Sequence, residues 1–76
     1  MSDLKEGDMV RHTRSEKVGT FLFMCNTKRP RAKVCWIEVD IALMRASARE
    51  VSLDFIEATG ERHPAYVLWD KLKGGA

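Results

Sequence analysis

The residues of this chain whose types could do chemistry are two cysteines, two histidines and a set of carboxylates. Their spacing decides what chemistry is open to them. Cys25 and Cys35 form no C-x-x-C knuckle and have no paired histidines beside them, as a tetrahedral zinc site requires. They read as buried free thiols, kept reduced in a reducing compartment. His12 and His63 are isolated in sequence beside turns, which suits exposed or turn-capping imidazoles better than metal ligands. Glu57 and Glu61 stand four apart, a solvated acidic edge rather than an acid/base pair. No serine, threonine or cysteine has a recognisable nucleophile setting, and no glycine-rich loop is built to cradle a phosphate. The expectation is a protein with no catalytic residues, no metal and no cofactor.

Positive charge is the stronger signal. Between Lys28 and Lys33 the chain is basic at Lys28, Arg29, Arg31 and Lys33 and acidic nowhere, and Pro30 stiffens the turn that presents these side chains. Arg11, Arg14 and Lys17 crowd the preceding connection. Loops of this kind neutralise phosphates, and an exposed Trp36 beside them could stack on a base. A charged turn also serves simply to keep a hairpin soluble. The net charge of +2 is too small to indicate a nucleic-acid partner by itself, so the expectation rests on how the charge is distributed.

The element that must position these residues is a hairpin between Val18 and Ile41. Val18 to Cys25 and Val34 to Ile41 are rich in β-branched and aromatic residues, and Thr27 to Ala32 links them around a proline that cannot donate a ladder hydrogen bond. Alternation sends Phe21, Phe23, Cys25, Cys35, Ile37, Val39 and Ile41 to the core, with Cys25 opposite Cys35. Val18, Leu22, Met24, Val34 and Trp36 then form an apolar patch on the outer face. A patch of that kind on so small a domain calls for a cover: a C-terminal helix through Leu68, Trp69 and Leu72, or a partner subunit. That patch supports the second functional expectation, a protein-interaction or oligomerisation module.

Upstream, a glycine-led turn enters a short first strand with Val10 inward and Arg11 outward, and Gly19 marks a bulge or a close backbone approach. Asp40 to Glu50 fits either helix or a hairpin arm, and the hairpin with its tip at Arg45 to Ala48 is preferred. Pro64 suits a first helical position. The Ala65, Leu68, Trp69, Leu72 spacing before Gly74-Gly75 predicts an amphipathic helix over about 64–73, with a strand from Ala65 to Trp69 as the alternative.

The rhythm Gly7-Asp8-Met9-Val10, Lys17-Val18-Gly19-Thr20-Phe21, Val34-Cys35-Trp36 and Arg49 to Glu57 resembles SH3-like small barrels, including KOW and Tudor-type modules. The resemblance covers about residues 4–57. It implies a mainly β fold, a barrel of about five strands, here followed by the short C-terminal helix in a single domain over 1–76. A weaker resemblance is to the type II plasmid-encoded dihydrofolate reductases, which open with "GD-x-V-R" as Gly7 to Arg11 does and build one active site at the centre of a tetramer. Their Val-Gln-Ile-Tyr run has its nearest match in Val51-Ser52-Leu53-Asp54, which lacks the glutamine and the tyrosine. At 76 residues, 45% hydrophobic and 32% charged, the chain is neither disordered nor long enough in any apolar run to cross a membrane, and its start shows no secretory signal. A cytoplasmic location is expected, with nucleic acid or a protein as partner and a homo-oligomer as a further possibility.

Overall fold

In a computed structural model, which describes residues 4–25 and 28–74, five antiparallel strands form one sheet and two helices pack on it. The strands are β1 (Asp8–His12), β2 (Val18–Cys25), β3 (Arg31–Cys35), β4 (Arg49–Ser52) and β5 (Ile56–Arg62), and the helices are α1 (Ile41–Ser47) and α2 (Pro64–Gly74). A 3₁₀ turn, Leu53–Phe55, joins β4 to β5. The sheet order β4-β3-β2-β1-β5 puts the first and last strands side by side. The protein is thus mainly β with a short C-terminal helix, as the pattern of strands and the Pro64 helix start predict.

Both faces of the sheet are covered from within the chain. Phe21 and Leu22 are successive residues of β2, so their side chains leave on opposite faces. Phe21 joins Val10, Ala32, Val34 and Ile56 in one cluster, with Trp36 packed against it. Leu22 joins Cys35, Met44 and Tyr66 in the other, so α1 and α2 supply the cover. Val10 is fully buried and Arg11 exposed, as expected of β1.

The central hairpin departs from the expected register. β3 starts directly after Pro30, which shortens the turn, so Cys25 pairs with Arg31 and Cys35 with Thr20 rather than with each other. Both thiols are free. The pairing jumps from Phe21↔Val34 to Phe23↔Lys33, leaving Leu22 as a bulged extra residue. An inserted residue reverses the alternation beyond it, and Phe23 accordingly lies 51% exposed instead of in the core. β3 also ends at Cys35. Ile37 is therefore not a core residue but sits 54% exposed in the connection to α1.

The stretch expected as a hairpin arm, Asp40 to Glu50, instead carries α1 over Ile41–Ser47. Asp40 accepts a hydrogen bond from the Leu43 backbone N–H at 2.8 Å, a side-chain cap that starts α1. α2 begins where Pro64 predicts, with His63 Nδ1 accepting from the Ala65 N–H at 3.1 Å. Its buried residue is Tyr66, while Leu68 and Leu72, expected to face the core, point away from it. Thr59 to Glu61 carry a bulge in β5 where the β1 pairing shifts, with Gly60 at φ +86°.

One carboxylate ties the helical layer to the start of the sheet. Glu6 Oε2 accepts from the Tyr66 hydroxyl at 2.6 Å and from Arg45 at 2.8 and 3.0 Å, so α1 and α2 share an anchor. Burial opposes the Glu6 charge, but the hydrogen bonds from Tyr66 and Arg45 outweigh it and hold the carboxyl below its usual 4.5. Burial, reinforced by the bond to Glu6, pushes the Tyr66 phenol up to about 12. The signs differ. The lowered Glu6 contributes stability that is present above about pH 4.5 and is lost as pH falls through its folded value, whereas the raised Tyr66 contributes stability that is full below about pH 10 and is lost as pH rises towards 12. Melting temperature against pH should therefore fall at both ends, and Tyr66→Phe should remove the alkaline fall attributable to this group. An unchanged alkaline limb in that variant would exclude Tyr66 as its source.

Candidate nucleic-acid interface

The two basic connections, separate in sequence, meet at the 3₁₀ turn. Its residue Phe55 accepts a backbone hydrogen bond from the Thr13 N–H at 2.8 Å, on the side of the β1–β2 connection. On the other side the Leu53 N–H donates to the Pro30 carbonyl at 3.3 Å, which fixes the β2–β3 turn against the same short element. The Phe55 ring is 36% exposed. Arg14 holds its guanidinium carbon 4.8 Å from the ring centroid, and His12 stacks on the ring at 5.9 Å with 22° between planes.

A groove of about 560 Å³ runs from this ring between Arg29, Pro30, Arg31, Ser52, Leu53 and Asp54. Its walls are fixed by backbone hydrogen bonds, while its cations are on exposed side chains. Arg31 makes a longer ion pair with Glu50, at 3.6 Å and with both side chains about half exposed, so a phosphate would compete with that carboxylate for it. Asp54 borders the groove and disfavours anions on its own side. His12 Nδ1 accepts from the Arg14 and Ser15 N–H groups at 3.1 and 3.3 Å, so this imidazole caps the turn that presents Arg14.

The expected basic residues are not all part of this surface. Lys28, Arg29, Arg31 and Arg14 are exposed, and the last three border or overlie the Phe55 region. Arg11 instead makes a 2.7 Å ion pair with Glu57 across β1 and β5, and its charge is met within the chain. Lys33 is half-buried and in register with Glu50. Lys17 borders a second, smaller hollow of about 260 Å³ with His12, Ser15 and Trp36.

Trp36 is half-buried against the Phe21 cluster, and its ring lies where a side chain on Gly19 would collide with it at 2.6 Å. The indole is thus held by the core and edge-on to His12 at 5.9 Å. Phe55 has the exposed ring among the arginines. Sequence reasoning missed it because its neighbours come from three separate stretches; the available signal was a lone aromatic residue in the Arg49 to Glu57 stretch.

The expected outer apolar patch does not exist as one surface. Leu22 and Val34 are buried, in different clusters, while Val18 and Met24 remain about half exposed and Trp36 packs inward. The bulge at Leu22 and the early end of β3 divide the five residues between faces. Among the described residues no group of three or more His, Cys, Asp or Glu side chains could hold a metal, and no helix is long and apolar enough to cross a membrane. No family model matches the chain, and no curated protein or solved structure compared with it is similar.

Proposed function

We propose that this chain is a small non-catalytic nucleic-acid-binding module of the SH3-like kind, acting through the arginine-rich groove at Phe55. The SH3-like part of the reading is supported by the strand order, in which β1 pairs with both β2 and β5, and by the 3₁₀ turn between the last two strands. The nucleic-acid part is carried by one observation: Phe55 joins the two basic connections, with Arg14 on one side and Arg29 and Arg31 on the other. Guanidinium groups meet phosphates, and an unpaired base, whichever it is, would stack on the Phe55 ring in place of the exposed Arg14 side chain. Unpaired strands are therefore the favoured ligand. Phosphates would lie along Arg29 and Arg31, away from Asp54, and contacts of this kind position a strand without reading its sequence.

Anisotropy with a labelled homopolymer, titrated at salt concentrations from ~50 mM upward, tests this reading. The variant Lys28→Gln/Arg29→Gln/Arg31→Gln should fold as the parent does, because these side chains are exposed, and should flatten the log–log salt dependence by about two to three, at ~0.7 to 0.9 per phosphate contact. Phe55→Leu should weaken binding to single strands about ten-fold, the scale of one lost stacking contact, and leave duplex binding nearly unchanged. A parent protein that binds neither form at ~50 mM salt, where phosphate contacts are strong, would remove the proposal.

A further inference from the structure

α2 turns its most apolar stripe away from the body of the protein. The residue it buries is Tyr66, which leaves Leu68 60% and Leu72 76% exposed. With Ile41, Ala65 and Trp69 these two side chains line an open groove of about 440 Å³ between the helices, and Asp40 closes one end. Exposed leucines one helical turn apart on a capped, well-anchored helix are a costly surface to leave in water.

The groove also has a charge direction. Asp40 lies at the end where α2 begins, together with Glu38, whose Oε2 is 3.3 Å from His63 Nε2. Lys71 and Lys73 occupy the last turn of α2, with the Lys73 ammonium 4.8 Å and the Arg45 guanidinium 5.2 Å from the Trp69 ring. Arg62 at the start of α2 is paired with Asp70 at 2.8 Å and Arg45 with Glu6, which leaves Glu38 and Asp40 to set the charge of one end and Lys71 and Lys73 that of the other. A surface with this polarity complements itself when turned through a two-fold axis across the groove. The lysines of one copy then face Glu38 and Asp40 of the other, and the contact is made twice.

We infer that two copies of this chain associate through this face, as an antiparallel pair of α2 helices with Leu68 and Leu72 packed between them. The face is one helix of 11 residues and the start of a second, a small surface for a stable contact, so the association is expected to depend on concentration. The Phe55 groove is built from other elements and takes no part in the contact. A dimer would carry two such grooves.

Molar mass of the full chain by light scattering, from about 5 to about 300 μM, should rise with concentration from one chain towards two and no further. Leu72→Glu should keep the parent's melting temperature, because this side chain is exposed in the single chain, and should weaken association at least about ten-fold, since a two-fold contact carries the change twice. Lys71→Glu should weaken it about three-fold at ~50 mM salt, with less effect at ~500 mM, where charges are screened. Should Leu72→Glu fail to fold, Leu68→Ala reads the same contact with a milder change. A parent that stays a single chain at every concentration overturns the inference, including the case where that face binds a different protein. So does a dimer that a folded Leu72→Glu or Leu68→Ala leaves as tight as before.

Discussion

Replacing Phe21 by alanine should lower the melting temperature by more than about 15 °C, whereas the same truncation at Ile37 should move it by no more than a few degrees. Both residues belong to the β-rich stretch around the basic turn, and by composition they are equivalent. Phe21 is 2% exposed and touches the Val10, Ala32, Val34 and Ile56 cluster, so its loss leaves a cavity that costs about 3 to 5 kcal/mol. A domain of this length has roughly 4 to 11 kcal/mol in total. Ile37 is 54% exposed, beyond the end of β3, and its truncation falls within the ~0.5 kcal/mol typical of surface sites. Thermal melts of the two variants side by side decide the matter: equal losses would mean that β3 runs on past Cys35.

The second large effect is expected at Gly7. Its φ of +99° is a conformation that side chains rarely adopt, and a Cβ there would overlap the Tyr66 ring at Cγ. The backbone cannot move aside. The Gly7 N–H donates to the Phe21 carbonyl at 2.8 Å, and the Gly7 carbonyl accepts from the His63 N–H, also at 2.8 Å. Gly7→Ala must therefore strain its own backbone and push Tyr66 away from Glu6, at a combined cost of about 2 to 4 kcal/mol. Denaturant titration should show the loss, and the chemical shifts of the Tyr66 ring should report its displacement. A stability equal to the parent's would show that α2 does not seat on this turn.

Much of the fold is legible in the chain because some residues allow few alternatives. Val18 to Cys25 reads as a strand, and Pro64 ahead of a helical apolar spacing reads as a helix start; both stand in the structure. What was not legible depends on partners distant in sequence. Trp36 to Ile41 looks like strand on composition, but Asp40 caps a helix there, and a capping side chain outweighs β propensity once the backbone has turned. β5 escaped notice because an edge strand exposed over Glu57 to Glu61 shows no apolar alternation to detect. The bulge at Leu22 leaves no mark in the sequence, yet it moves Phe23 to the surface and divides the expected outer patch. The candidate site was legible in its cations and not in its ring, since Phe55 acquires its surroundings only when the two basic connections close on the 3₁₀ turn.

The placement of β1 between β2 and β5 has a consequence for how the protein is made. β2, β3 and β4 follow one another closely and can pair as they leave the ribosome, but the partner for the other edge of β1 arrives last: Arg11 and Glu57 are 46 positions apart. Until residues 56–62 emerge, β1 presents a row of unpaired backbone groups beside an incomplete core that still lacks Ile56 and Tyr66. Closing so distant a pair comes at an entropic cost before any contact rewards it, which places folding in the millisecond-to-second range rather than among fast helical proteins. A nascent chain halted before β5 should be captured by chaperones or aggregate, while one in which β5 and α2 have emerged should complete the sheet on its own.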